Sequence, residues 1–165
     1  MHRLWYTGLF AALAVVASSF HFPVGPVKVF PFQHAINVLA GITVGPWYGA
    51  LAAFVAGIIR ILLGTGTVFA FPGGIPGVIC VGLAYRFLKR DFAGFFEPVG
   101  TGVFGAMLSA YLVAPLVGRG GTLLFFQTAF LASSIPGSIL GFLLVKALRR
   151  VLHKELSLEG RCSRC

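Results

Sequence analysis

Acidic side chains are nearly missing from this chain: four Asp and Glu occur in 165 residues, and only 10% of residues are charged. An ordinary soluble domain is about 25% charged, so a water-facing surface cannot be covered and a soluble protein with one large core is set aside. The acids Asp91, Glu97, Glu155 and Glu159 are read as lying at cytoplasmic helix ends or in the C-terminal tail. Ion-coupled pumps need ionisable groups along their path, and on this reading the inner half has almost none. Three cysteines do not make a disulfide framework. Cys80 sits in an apolar run and is read as packing, and Cys162-x-x-Cys165 is a single pair with neither a second ligand pair nor a βαβ context. No metal-ligand set and no nucleophile–base pair is visible, so no metal, no cofactor and no enzyme are expected. There is no GxxxxGK[ST] run, and Gly64–Thr67 (GTGT) lacks the lysine of a phosphate loop.

What the chain has instead is apolar residues, 58% of the total, in runs that recur to about residue 148. The first run, Leu4–Phe22, is about nineteen residues, or about 28 Å of helix. Because further runs follow it, it reads as a spanning segment and not as a cleaved signal. Phe30–Val44 is short, Pro46 opens a helix to about Leu63, Ile75–Lys89 and Pro98–Leu116 follow, and the last helix runs from about Thr122 past Lys146 with Pro136 inside it. The fold expected is an all-α membrane protein of about six transmembrane helices. Residues 1–152 form its single domain, and 153–165 form a disordered basic tail.

The net charge is +9, and of thirteen Lys and Arg ten lie at Arg3, Arg86, Lys89, Arg90 and from Lys146 to Arg164. With Arg3 in the cytoplasm, six crossings bring all these clusters to the cytoplasmic side with both termini, the positive-inside pattern. Lipid headgroups or a cytoplasmic partner fit this placement, and nucleic acid does not. The same count puts Gln33, His34, Arg60, the Thr65–Pro72 loop and Gln127 near the outer face. Arg60 is followed by GTGTVFAFPGG, and helix-breaking chain at membrane depth is tolerated only inside protein or beside a wet cavity. Two readings of Arg60 stand: it snorkels to the headgroups, or it faces such a cavity. His34 and Asn37 share a helix face and suit either structural hydrogen bonds or a pocket edge. Small residues four apart, such as Gly8 and Ala12 or Ala14 and Ser18, suit close packing against another helix of this chain or of another subunit.

The run PVGPVKVFPFQHAINVLAGITVGPWYGALAAF at Pro23–Phe54, with Arg60 and GTGTVFAFPGG at Gly64–Gly74, resembles the ThiW family over about Leu4–Arg150. Its members look like substrate-binding S components of energy-coupling factor (ECF) transporters. The resemblance implies an S-component-like bundle in the prokaryotic plasma membrane that captures the thiamin precursor hydroxyethylthiazole, or its phosphate, from outside. It also implies a transmembrane coupling subunit and cytoplasmic ATPases as partners, docked in related S components through an AxxxA motif that Gly8 and Ala12 match here. On this reading Phe69 and Phe71 stack on the heterocycle and His34, Asn37 and Gln127 bond to it. Gln33, Thr65 and Thr67 complete the site, and Arg60 holds a hydroxyl or phosphate. Gly74 and Ile61 stand where polar side chains are expected, which removes two contacts. The alternatives are another small heterocyclic precursor as ligand, a membrane enzyme, for which the required acid cluster or activated nucleophile is lacking, and a pore.

Overall fold

A computed structural model describes residues 2–24 and 27–162, with side chains described to Val151 except at Val27. The described residues form six helices: α1 (His2–Ala17), α2 (Pro31–Thr43), α3 (Pro46–Leu62), α4 (Ile75–Leu88), α5 (Asp91–Leu116) and α6 (Leu123–Cys162). A small hairpin of β1 (Phe22–Val24) and β2 (Val27–Val29) joins α1 to α2. Three stretches are long and apolar enough to cross a bilayer, Val68–Leu88, Asp91–Leu116 and Leu123–Val151, and Pro46–Leu62 is a shorter apolar helix. The expected tail at 153–165 and the Cys162/Cys165 pair lie outside the described side chains, and residues 163–165 lie outside the described chain.

Helix boundaries follow local chemistry. Pro31 and Pro46 occupy the first helical positions of α2 and α3, where the missing N–H would have no intrahelical partner anyway. Gly45 before Pro46 has φ 89°, a left-handed conformation that glycine adopts without a Cβ clash and that makes the α2–α3 break sharp. Two expected spans differ from the structure. The first helix stops at Ala17 and not at Phe22, because Ser18 bonds back to the Val15 carbonyl at 2.6 Å and Phe22 leaves to pair with Val29. The helix expected from Pro98 begins earlier: Asp91–Phe96 is a tight 3-10 stretch that runs straight into the rest of α5.

The bundle is built with polar groups inside and apolar groups outside. Gln33, His34, Asn37, Arg60, Glu97, Thr101, Ser109, Ser134 and Ser138 are buried, whereas Trp47, Leu51, Phe87, Phe104, Met107 and Leu143 are exposed. That distribution suits lipid around the protein and is untenable for a water-facing surface. Glycines set the helix spacing. A Cβ on Gly137 of α6 would lie 2.4 Å from His34 Cβ and 2.6 Å from the Pro31 carbonyl of α2, and one on Gly141 would lie 2.6 Å from Val38. Gly100 and Gly105 of α5 admit the backbone of Pro76 and Pro72 at 2.4 and 2.1 Å from where their Cβ atoms would be. The segment Pro72–Gly74 is therefore buried inside the bundle.

The two ends of the bundle differ. At one, Arg149 of α6 pairs with Asp91 at 2.9 Å and donates to the Tyr85 hydroxyl at 2.6 Å, tying α4, α5 and α6 together beside Arg86, Lys89 and Arg90. At the other, the hairpin, the start of α2, the end of α3, the loop after it and the start of α6 surround a cavity.

Candidate functional site

The cavity has a volume of about 560 Å³, within the usual range of small-molecule sites. Arg60 forms part of its wall. The residue ends the last turn of α3, and its carbonyl receives the backbone N–H groups of Thr65 at 2.9 Å and Gly66 at 3.0 Å. The loop thus folds back over the helix end that carries the guanidinium. A Cβ on Gly66 would lie 2.9 Å from Arg60 Cβ, so only glycine lets the loop come this close.

The Arg60 side chain is 3% exposed. Its Nη1 donates to the Gln33 side-chain carbonyl and its Nη2 reaches the Thr65 backbone carbonyl at 3.5 Å, while the guanidinium lies 4.7 Å from the centre of the Phe30 ring. Nε is buried without a partner. Neutral acceptors and an aromatic face satisfy this cation in part, with no carboxylate among the described residues paired to it. Lys28 and Arg119 also line the cavity, and among the described residues no Asp or Glu does. The wall is otherwise largely aromatic, with Phe30, Phe69, Phe125, Phe126 and Phe130. Phe69 and Phe126 stack with centroids 5.0 Å apart, and Phe126 and Phe130 lie 6.1 Å apart. Ser133 completes this side, accepting the Phe30 backbone N–H at 3.2 Å and so pinning α6 to the start of α2.

Of the residues expected at the site, Gln33, His34, Arg60, Thr65, Thr67 and Phe69 line one cavity. Asn37, Phe71 and Gln127 are not among its lining residues. Asn37 is buried one turn beyond His34, with its Nδ2 near Gly74 and unpaired. Phe71 turns back onto α3, stacking 5.4 Å from Phe54 in the space that Gly57 leaves open. Gln127 is half-buried beside the aromatic face. Among the lining residues missed were Lys28, Phe30, Arg119, Phe125, Phe126, Phe130 and Ser133. Phe126, Phe130 and Ser133 recur at i, i+4 and i+7, one face of a helix, and this period was the readable signal. Gly8 and Ala12 lie on the exposed side of α1, and a Cβ on Gly8 would meet nothing within 4 Å. Ala14 and Ser18, by contrast, are buried inside the bundle.

One expectation is overturned. Glu97, assigned to a cytoplasmic end, is fully buried in the middle of the bundle. Its Oε1 lies 2.6 Å from Nδ1 of His34 and accepts the Thr101 hydroxyl at 2.8 Å. Asp91 holds the helix end, and the 3-10 stretch then rises about 2.0 Å per residue, which carries Glu97 to the level of the cavity wall. Among the described residues no group of three His, Cys, Asp or Glu side chains comes together to hold a metal ion.

This arrangement suits binding: it offers flat apolar walls, a buried guanidinium and further cations. The family model described as thiamine-precursor transporter protein (ThiW) matches residues 4–151, most of the chain. No curated protein matches the sequence.

Proposed function

We propose that this chain, which belongs to the ThiW family of thiamine-precursor transporter proteins, is the substrate-capture subunit of an ECF-type transporter in the prokaryotic plasma membrane. Its cavity takes hydroxyethylthiazole or the corresponding phosphate, and a transmembrane coupling subunit with cytoplasmic ATPases drives delivery. Both termini and the Arg86–Arg149 end face the cytoplasm, and the cavity opens outward. The observation that carries this reading is Arg60: a guanidinium sunk in an aromatic cavity, satisfied only by neutral acceptors, with Lys28 and Arg119 lining the same space. A flat heterocycle suits the Phe walls, and a hydroxyl or phosphate suits the cations.

Gln33, His34, Arg60, Thr65, Thr67 and Phe69 are the contact residues of this reading. Asn37, Phe71 and Gln127 support the walls behind them. Gly8 and Ala12 serve the coupling subunit from a separate face of α1. Isothermal titration of the purified protein with hydroxyethylthiazole and its phosphate is the direct test. Arg60→Ala is expected to weaken the phosphate by about tenfold or more, since a hydrogen bond to a charged group is worth about 1.5–3 kcal/mol, and to weaken the alcohol less. Equal millimolar binding of both compounds to the unmodified protein rules the reading out.

A further inference from the structure

Glu97 is the chemical group in this molecule that the binding reading leaves without a task. It is fully buried, it sits on a membrane-spanning helix, and its Oε2 has no partner. Space for it is made on α4, where a Cβ at Gly77 would lie 2.5 Å from Oε1 and 2.3 Å from the Thr101 hydroxyl. An acid held this deep is costly. A buried apolar residue would join α5 to α2 at less cost.

The geometry points to Glu97 as a positioning residue that fixes His34 in its Nδ1–H form, so that Nε2 presents a hydrogen-bond acceptor to a donor group on the ligand. One oxygen, Oε1, is decisive. Oε1 accepts the Thr101 hydroxyl and lies 2.6 Å from His34 Nδ1. If the carboxyl is ionised, Oε1 can only accept. If it carries a proton on Oε2, which has no partner, Oε1 is a carbonyl oxygen and again accepts. In both of these states Nδ1 donates, and the hydrogen bond that one imidazole nitrogen makes sets the state of the other; a carboxyl proton on Oε1 would instead donate to Nδ1 and leave the ring proton on Nε2, the outcome that the NMR below reads as overturning the inference. Nε2 makes no hydrogen bond among the described residues, and His34 lines the cavity. Gly137 presses on the His34 Cβ and Cα from α6, so the ring has little freedom to turn away. A neutral His34 held this way accepts from an O–H or N–H. The cavity therefore recognises a hydroxyl-bearing ligand by a means separate from Arg60.

This inference rests on the binding reading above, and the experiment separates the two. Histidine-directed ¹⁵N NMR of the ligand-free protein in nanodiscs, with His34 assigned through His34→Gln, is expected to show the proton on Nδ1. Glu97→Met, which offers no acceptor, is expected to move it to Nε2. The same variant is expected to weaken hydroxyethylthiazole about tenfold and to leave the ethyl analogue that lacks the hydroxyl within about twofold. Glu97→Gln keeps an acceptor oxygen and is expected to restore both the Nδ1–H signature and alcohol binding to within about threefold. A proton on Nε2 in the unmodified protein overturns the inference. So does an equal loss of both thiazoles in Glu97→Met, the mark of a merely structural acid. Should Glu97→Met fail to fold, the NMR of the unmodified protein and the Glu97→Gln titration decide. Should neither thiazole bind the unmodified protein, the ligand reading fails, and the tautomer alone decides the role of Glu97.

Discussion

Replacing Gly137 with alanine tests whether the spacing of α2 and α6 sets the shape of the cavity. The added Cβ would lie 2.4 Å from His34 Cβ and 2.6 Å from the Pro31 carbonyl. Ordinary contact begins near 3.4 Å, so the helices must part by about 1 Å, and because backbone is involved no side-chain rotation relieves the overlap. Overpacking of this kind costs about 1–3 kcal/mol. The same shift stretches the Phe30 N–H to Ser133 hydroxyl bond, 3.2 Å in the structure, past useful length and removes about 1 kcal/mol more. At about 2–4 °C per kcal/mol for a chain of this size, the melting temperature is expected to fall by roughly 5–10 °C. Gln33 and His34 ride on α2 and Phe126, Phe130 and Ser133 on α6, so these cavity walls separate together, and Kd for hydroxyethylthiazole, the ligand proposed above, is expected to rise about tenfold. Gly82→Ala is the matched control. Its Cβ would meet the Pro46 backbone at 2.5 and 2.6 Å, an equal clash away from the cavity, so stability should fall while Kd holds within about twofold. Thermal unfolding and titration calorimetry on both variants give the answer. If Gly137→Ala lowers stability but leaves Kd where Gly82→Ala leaves it, the α2–α6 spacing does not shape the site.

Two further outcomes concern other surfaces. Gly8→Leu, placed where nothing lies within 4 Å, is expected to change stability by less than about 0.5 kcal/mol and to leave ligand affinity unaltered, yet to abolish copurification with the coupling subunit; retained copurification sinks the docking role of α1. Asp91→Asn removes the 2.9 Å pair with Arg149, whose side chain is 52% exposed, and is expected to cost at most about 1 kcal/mol, a loss that shrinks in high salt and that leaves Kd unchanged; thermal unfolding at low and high ionic strength measures it.

The helices and their apolar–polar sorting were legible in the sequence because Pro31, Pro46 and the Gly/Pro run after Arg60 mark breaks by stereochemistry alone. The convergence of Gln33, His34, Arg60 and Thr65 in one cavity was legible for a related reason: a cation followed at once by helix-breaking chain has to face something other than lipid. Side-chain direction inside irregular chain was not. Phe69 and Phe71 look equivalent in VFAF, but the tight turn at Val68–Ala70 sends the first into the cavity and the second onto Phe54. Glu97 escaped because counting charges places every acid at a helix end. The apolar run Phe92–Phe96 between Asp91 and Glu97 was the contrary sign: five residues without charge are enough, in a 3-10 stretch rising about 2.0 Å each, to carry an acid from the basic end to the level of His34.

No residue of α1 lines the cavity. That helix packs through Phe10 and Ala11 against Ala40 and Val44 of α2, Ala52 of α3 and Val78 of α4, and its Leu13, Val16 and Ala17 flank Phe32, Ala35 and Ile36 of α2. A partner seated on the Gly8 and Ala12 face therefore has no direct contact with a captured ligand, and whatever it senses must pass through the helices that α1 touches. Of these, α2 carries Gln33 and His34 and α3 carries Arg60. The two are also linked at the site itself, where the Arg60 guanidinium donates to Gln33. A ligand that draws on Arg60 competes with Gln33 for the same donor, and so acts on the bond that holds the cavity ends of α2 and α3 together. α1 lies along α2, from Phe32 near the cavity to Val44 at the other end, and on Ala52 of α3. On the proposed function, capture and docking are separate in space but share two helices, which is the arrangement a subunit needs if occupancy is to be felt by a partner that never meets the substrate.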